Sequence, residues 1–396
     1  MKTKPATRIY MDNSAGKPID PRVISVMQIH MTTHYGNPSS LHTMGQEAKQ
    51  TLTKSREIIA KLINAEEPKT IIFTSGATES NNLAIRGTAS RNENRGKKIL
   101  TSSIEHMSVV NPFKYLLRNG FQAIFLPVDN FGLLDLEKLE SELDDNTTLV
   151  SIVHANGEIG TIQPIKEISK IVHKKKAYLH VDATAACGQI PIDVQDENID
   201  LMTISSNDMY GPRGVGALYI KKGTTIAPII LGGGQEGGLR SGTENIAGIV
   251  GFAKAAEIAE SEMPQNSERM TELRDDLIKG LIDPIPEAYL NGHPTQRLPD
   301  NVSVRYSYIE GESILLSLDI MGIFASSGSA CASKTLQPSH VLLALGLKPE
   351  DAHGSLMLTL GRDNTQDDVD RLKSVMPDIV ERLRAMSPLT PKELNN

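Results

Sequence analysis

Short apolar runs alternate with helix-length stretches along the first half of this chain, and that alternation limits the fold more than any other feature. Runs at 70–74, 98–102, 122–126, 149–153 and 178–182 read as strands. The segments between them, notably 79–90, 108–118 and 165–174, suit helices. An earlier helix reaches to about residue 64, because Met44, Ala48, Leu52, Ile59, Leu62 and Ile63 recur at helical spacing. Strands alternating with helices predict a mostly parallel sheet covered on both faces. Functional residues are then expected at the carboxyl ends of the strands.

The chain has 396 residues, which suggests about two domains. A long helix is expected from 245 to about 263. Past Pro264 the pattern changes to a helix, a strand at 301–305, a helix at 312–321 and a Ser/Gly loop. This predicts a large domain over 21–264 and a smaller one made of 1–20 and 265–396. The glycine-rich run 232–238 reads as a flexible connection. In the last helix Val369, Leu372, Met376, Ile379, Val380 and Leu383 share one face, Thr365 and Asp368 form a capping box, and Pro377 predicts a kink.

Net charge of −7 and a pI near 5.9 argue against nucleic acid as the main partner. No apolar run approaches about 18 residues, and the first residues lack an apolar signal-peptide core, so no membrane span or signal peptide is expected. Cys187 and Cys331 do not make a disulfide framework, which points to a reducing, cytoplasmic setting.

Several motifs carry potential chemistry. Ser75-Gly76-Ala77-Thr78-Glu79-Ser80 follows a strand and opens a helix, which suits either an anion or a plain helix cap. His106 follows a strand and Asp182 ends one. An apolar run at 201–204 leads into Ser205-Ser206-Asn207-Asp208, then Tyr210-Gly211-Pro212-Arg213-Gly214 turns the chain into a strand at 215–220. Cys331 lies among small polar residues, which predict exposure and mobility, and Lys334 is near enough in sequence to favour a thiolate. Cys187, in Ala185-Ala186-Cys187-Gly188, reads as inert core.

In this order the motifs resemble those of the cysteine desulfurases of the NifS/IscS type, pyridoxal phosphate (PLP) enzymes of the class V aminotransferase superfamily. The resemblance runs from residue 7 to about 388. It implies an α/β protein of PLP-dependent fold type I: a large domain on a mostly parallel seven-stranded sheet, a smaller α+β domain, and a homodimer. It also implies roles. Ala77 and Thr78 would lie on the phosphate loop, His106 would stack on the pyridine ring, and Asp182 would face its nitrogen. Ser205 and Thr243 would add phosphate contacts, Thr243 across the dimer. Cys331 would carry the persulfide sulfur on a mobile loop. The family's N-terminal Asp-Asn-Ala-Ala-Thr reads Asp12-Asn13-Ser14-Ala15-Gly16 here.

The pattern departs from the family at one site. Asp208 stands at the position of the PLP-binding lysine and Asn207 at that of the preceding histidine. Gly157 replaces an asparagine, Ala185 a glutamine, and Met357 the arginine that grips the substrate carboxylate, although Arg362 is retained. A charge pair at ~4 Å is worth roughly 1 kcal/mol in water and about 4 at an effective dielectric of 20, so reversing one beside a phosphate weakens binding. Covalent PLP is therefore not expected, nor is strong desulfurase activity. The expected role is an IscS-like component of iron–sulfur cluster assembly. It would dock an IscU-type scaffold and offer Cys331 as persulfide carrier or as metal ligand to a shared [2Fe-2S] cluster. The alternatives are an active desulfurase that turns L-cysteine into L-alanine and an enzyme persulfide with PLP untethered, another PLP-fold enzyme, and a structural subunit.

Overall fold

The computed structural model describes residues 8–328 and 338–394. Its strands, in chain order, are β1 (Ile9–Tyr10), β2 (Ile71–Thr74), β3 (Lys98–Ser102), β4 (Gln122–Leu126), β5 (Thr147–Val153), β6 (Tyr178–Asp182), β7 (Leu201–Ser205), β8 (Gly216–Ile220), β9 (Ala288–Leu290), β10 (Asn301–Tyr306), β11 (Ile323–Phe324) and β12 (Ser355–Thr359). Seven of them form one sheet in the order β2-β8-β7-β6-β5-β3-β4. Every strand runs the same way except β8, which is antiparallel to both of its neighbours. All residues of β3, β5, β7 and β8 are buried. Helices covering both faces leave no solvent side, so these strands read as mostly apolar runs without polar alternation.

The apolar packing is divided. One cluster joins Val150, Val181 and Ile204 to Phe252 and Ile249. A separate one joins Val302, Tyr306, Leu356 and Leu372 to Leu273 and Leu277. The second surrounds a three-stranded antiparallel sheet, β12-β10-β9, and takes in Ile9 and Met11 from the N-terminal segment. β1 pairs in parallel with β11. One helix, Ile246–Ile282, feeds both clusters. It continues through Pro264, where the sequence predicts its end. Proline removes one backbone hydrogen bond, and burial on both sides of residue 264 outweighs that loss. The helix Gln366–Met386 likewise continues past Pro377 and carries the expected Thr365–Asp368 capping box.

The run 232–238 is not a free connection. Gly237 and Gly238 have φ of 64° and 83°, which glycine adopts without strain. They bring Glu236 under the sheet edge, where it is 8% exposed. Its two oxygens each accept from Arg56 at 2.7 Å, and one accepts the Phe73 N–H at 2.9 Å. A Glu236→Ala substitution leaves a mostly buried guanidinium and a buried N–H without their partner. Breaking such a pair typically costs about 3–5 kcal/mol. Urea unfolding is expected to show a loss of that order, and an unchanged midpoint would contradict the assignment.

Candidate functional site

The carboxyl ends of β3, β6 and β7 converge with the amino end of the helix Ala77–Arg91, as the parallel sheet requires. Asp182, the last residue of β6, is 3% exposed. Asn81, from the helix, donates Nδ2 to Asp182 Oδ2 at 2.7 Å and to Ser108 Oγ at 2.8 Å. Thr184 donates its hydroxyl to Asp182 Oδ1 at 2.5 Å and its N–H at 3.1 Å. Ser108 donates its N–H to His106 Nδ1 at 3.1 Å, so His106 caps the helix Met107–Arg118 and presents an exposed ring. The two sequence candidates His106 and Asp182 are thus ends of one hydrogen-bonded chain through Ser108 and Asn81.

The helix Ala77–Arg91 begins after Gly76, at φ 142°, with no side chain capping it. Glu79 turns back to accept the Ser75 N–H at 2.8 Å and is itself held by Arg240 at 2.9 Å. The first-turn amides at Ala77 and Thr78 therefore face a positive helix end suited to an anion. A Cβ on Gly216 would sit 2.8 Å from the Gly76 Cα, so glycine lets β8 pass under this turn. A cleft of about 430 Å³ opens beside Thr78 and His106, with Arg86 stacked 4.6 Å from the Tyr115 ring centroid.

Ser205 closes β7 and is 8% exposed. Asp208 follows in a short 3-10 turn, Asn207–Met209, and is partly buried. Burial pushes its carboxyl up to about 6; the Lys17 charge and a Ser205 hydrogen bond oppose this, and Asp182 reinforces it. Lys17 Nζ donates to the Asp208 carbonyl at 2.9 Å. Arg362, retained from the family pattern, lies 4.3 Å from the Tyr210 ring centroid and is ion-paired with Asp20. Hydrogen bonds from Arg22, then from Arg362, hold Asp20 well below the usual carboxylate range.

The remaining sequence candidates divide. Gly157 and Ala185 are neighbours: a Cβ on Gly157 would lie 3.6 Å from that of Ala185. Asn207 is held only loosely, with Arg213 Nε at 3.4 Å. Met357, 9% exposed on β12, exchanges backbone hydrogen bonds with Ser326 at 3.1 and 2.8 Å. Thr243 is exposed on the turn before the helix Ile246–Ile282, and no hydrogen bond among the described residues joins it to Thr78 or Ser205. Cys331 and Lys334 lie outside the described residues. Cys187 is 2% exposed, its thiol pushed up to about 12 by burial and then by Asp208, which agrees with an inert core cysteine. Among the described residues no three His, Cys, Asp or Glu side chains gather as a metal site, and no helix is long and apolar enough to cross a membrane.

This set fits PLP in most respects. A buried, hydrogen-bonded carboxylate suits a pyridinium nitrogen, and an uncapped helix start suits a phosphate. Residue 208 does not fit, since a carboxylate cannot condense with an aldehyde. Comparison with known proteins agrees with the fold. The aminotransferase class-V family model matches residues 9–372. The chain belongs to that family. It is 59% identical over 380 residues to cysteine desulfurase IscS 1 of Archaeoglobus fulgidus, covering 96% of this chain and 99% of that one. It is 51% identical to cysteine desulfurase IscS of Methanosarcina thermophila, over 97% of this chain and 95% of that one. A solved NifS-like protein superposes with a TM-score of 0.89 at 39% identity, covering 95% of this chain and 100% of the other.

Sequence reasoning missed Lys17, Asn81 and Glu105. Asn81 lies inside the recognised phosphate-loop motif, but nothing local marks its long-range partner. Glu105 is fully buried three residues past β3, accepting from Ser102 Oγ at 2.5 Å and the Val153 N–H at 3.0 Å. Burial pushes its carboxyl up to about 8. The unfolded chain would release that proton near pH 4.3, so between about pH 4.3 and 8 the folded state holds a proton the unfolded state lacks. Stability therefore falls as pH rises across that window. A Glu105→Gln variant is expected to flatten this fall between pH 5 and 8, read from urea midpoints. Parallel curves for variant and parent would refute it.

Proposed function

We propose that this protein is an IscS-like component of iron–sulfur cluster assembly in which cysteine turnover through residue 208 is lost. It docks an IscU-type scaffold and presents Cys331 as persulfide carrier or shared [2Fe-2S] ligand. The observation that carries the reading is Asp208: a carboxylate, bonded to Ser205, holds the place where desulfuration needs an amine. Gly157, Ala185 and Met357 support it, because none can hold a ring oxygen or grip a carboxylate. The relatives' names support the assembly role.

PLP, when bound, supplies an electron sink for bonds at an amino acid's α-carbon. Asp182, oriented by Asn81 and Thr184, would hold the ring nitrogen's proton. The amides at Ala77 and Thr78, with Ser205, would bind phosphate, and His106 would cover the ring. In this reading the chain is a cytoplasmic homodimer in which Thr243 completes the partner's pocket. Residues 21–264 form the large domain, and 1–20 with 265–396 the small one.

A second reading, a working desulfurase that yields L-alanine and an enzyme persulfide, is favoured by the names of the relatives and by the Lys17 amine beside Asp208. Alanine release from cysteine and added PLP separates the two. The wild type is expected to run about a hundredfold or more below an Asp208→Lys variant, the equivalent of ~3 kcal/mol. Cys331→Ala is expected to abolish cluster formation on the scaffold. Equal alanine rates in wild type and Asp208→Lys would sink the first reading.

A further inference from the structure

Glu158 carries a carboxyl that the pocket chemistry does not use, and it sits where distant parts of the chain meet. Its own loop is tied down from three sides. Asn156 Oδ1 accepts the N–H groups of Glu158 at 2.9 Å and Ile159 at 3.1 Å, and Asn156 Nδ2 donates to the Ile104 carbonyl at 2.7 Å. Asn301 Nδ2 donates to the carbonyls of Gly157 at 2.9 Å and Glu158 at 3.2 Å. Arg297 donates to the Ile159 carbonyl at 3.2 Å.

From that loop the carboxyl reaches residues on either side of the span 329–337. A Cβ built on Gly328 would overlap Glu158 Oε1, so glycine is what lets the carboxyl rest there. Ser339 gives the carboxyl a hydrogen bond, while Oε1 is buried without a partner. Ser339 also accepts the Val341 N–H at 3.2 Å, so the residue that meets Glu158 starts the helix His340–Ala344. Behind this contact Val341, Leu342 and Leu345 pack on Ile104, Val153 and Ile159, at the carboxyl ends of β3 and β5 and in the Glu158 loop.

An ionised carboxylate in this position would leave a charged oxygen buried with no donor, a cost the neutral acid avoids. Burial pushes Glu158 up to about 8, against the Ser339 bond. Titratable groups on the elements packed around it are engaged elsewhere. Glu105 accepts from Ser102 and the Val153 N–H, and its carbonyl accepts His340 Nε2 at 2.9 Å. Arg297 bonds to carbonyls and to Asn301, Asp300 accepts from Gln189, and His353 faces Glu310 at 3.8 Å.

We propose that Glu158 is a protonation-sensitive tie: uncharged, its carboxyl holds Gly328 and Ser339 against the ends of β3 and β5, and on ionisation it lets them go. The tie concerns residues 158, 328 and 339 alone, so it stands whether Cys331 carries sulfur, ligates iron or does neither. Parting the contact exposes the carboxyl, which then releases its proton near pH 4.3. Between about pH 4.3 and 8 the joined state therefore holds a proton that the parted state lacks, and joining weakens as pH rises, by up to about tenfold per pH unit. Above about pH 8 the dependence levels off, because the joined state ionises as well.

Hydrogen exchange of the full chain tests this, read by mass spectrometry on a peptide spanning 339–346 and corrected for the intrinsic pH dependence of exchange. Wild-type protection is expected to fall by about tenfold per unit from pH 6 to 8. Glu158→Gln is expected to keep its protection across that range, and Glu158→Ala to be poorly protected throughout. Gly328→Ala, whose added methyl displaces the carboxyl, is expected to lose about tenfold at pH 6. Unchanged exchange of the β5 amides marks the fold as intact in each variant. Glu105→Gln separates the neighbouring buried acid and is expected to keep the wild-type fall. Parallel profiles in wild type and Glu158→Gln would overturn the proposal, and so would a flat profile in Glu105→Gln beside a steep one in Glu158→Gln.

Discussion

Tyr210 holds the left-handed region at φ 59°, with a cation on its ring from each of two distant segments. Lys17 approaches from the N-terminal segment and Arg362 from the turn after β12. The Tyr210 hydroxyl accepts the Arg362 N–H at 2.8 Å, and its carbonyl accepts the Asp20 N–H at 2.9 Å. Asp20 in turn binds both Arg22 and Arg362. One residue thus ties the turn after β7 to both ends of the chain. A non-glycine residue at positive φ is sustained only when its surroundings over-determine it, and here they do. Everything the pocket presents from 205 to 208 is positioned by that knot.

The same knot explains why the pocket tolerates a carboxylate at its centre. Asp208 is partly buried next to Asp182, and both features raise the energy of its charged form. Lys17 offsets them from the opposite side. Cys187 lies close enough to Asp208 to feel its charge and stays a thiol. The local balance is therefore one cation against two carboxylates, and it is set by tertiary contacts, not by the segment 199–223 alone.

That distinction separates what the sequence makes legible from what it hides. The parallel sheet is legible because burial makes its strands short, mostly apolar runs, and helical spacing marks the segments between. The turn at 75–80, Asp182 and Asp208 are legible because each sits in a motif a few residues long. Lys17 is not, since its partner lies 191 residues away and a lone lysine between Gly16 and Pro18 has no periodicity. Glu236 is hidden for the same reason: seven residues rich in glycine look unconstrained until Arg56 and the Phe73 amide are brought to them. Pro264 misleads in the other direction. Its local penalty is real, and the apolar face of the helix Ile246–Ile282 on either side exceeds it.

Met357 shows that the frame and the chemistry of this pocket are separable. Its side chain offers nothing to a carboxylate, yet its backbone pairs with Ser326 in both directions and with Ser303 across β10. Those bonds hold the stem of the segment that leads to Cys331, and they need no particular side chain. The sheet, the turn at 75–80 and the Asp182–Asn81 pair are likewise built from backbone and buried groups that do not depend on the side chains at 157, 185, 208 and 357. A pocket built this way can carry a carboxylate at residue 208 and a methionine at 357 without losing its shape, because backbone and buried groups hold the fold.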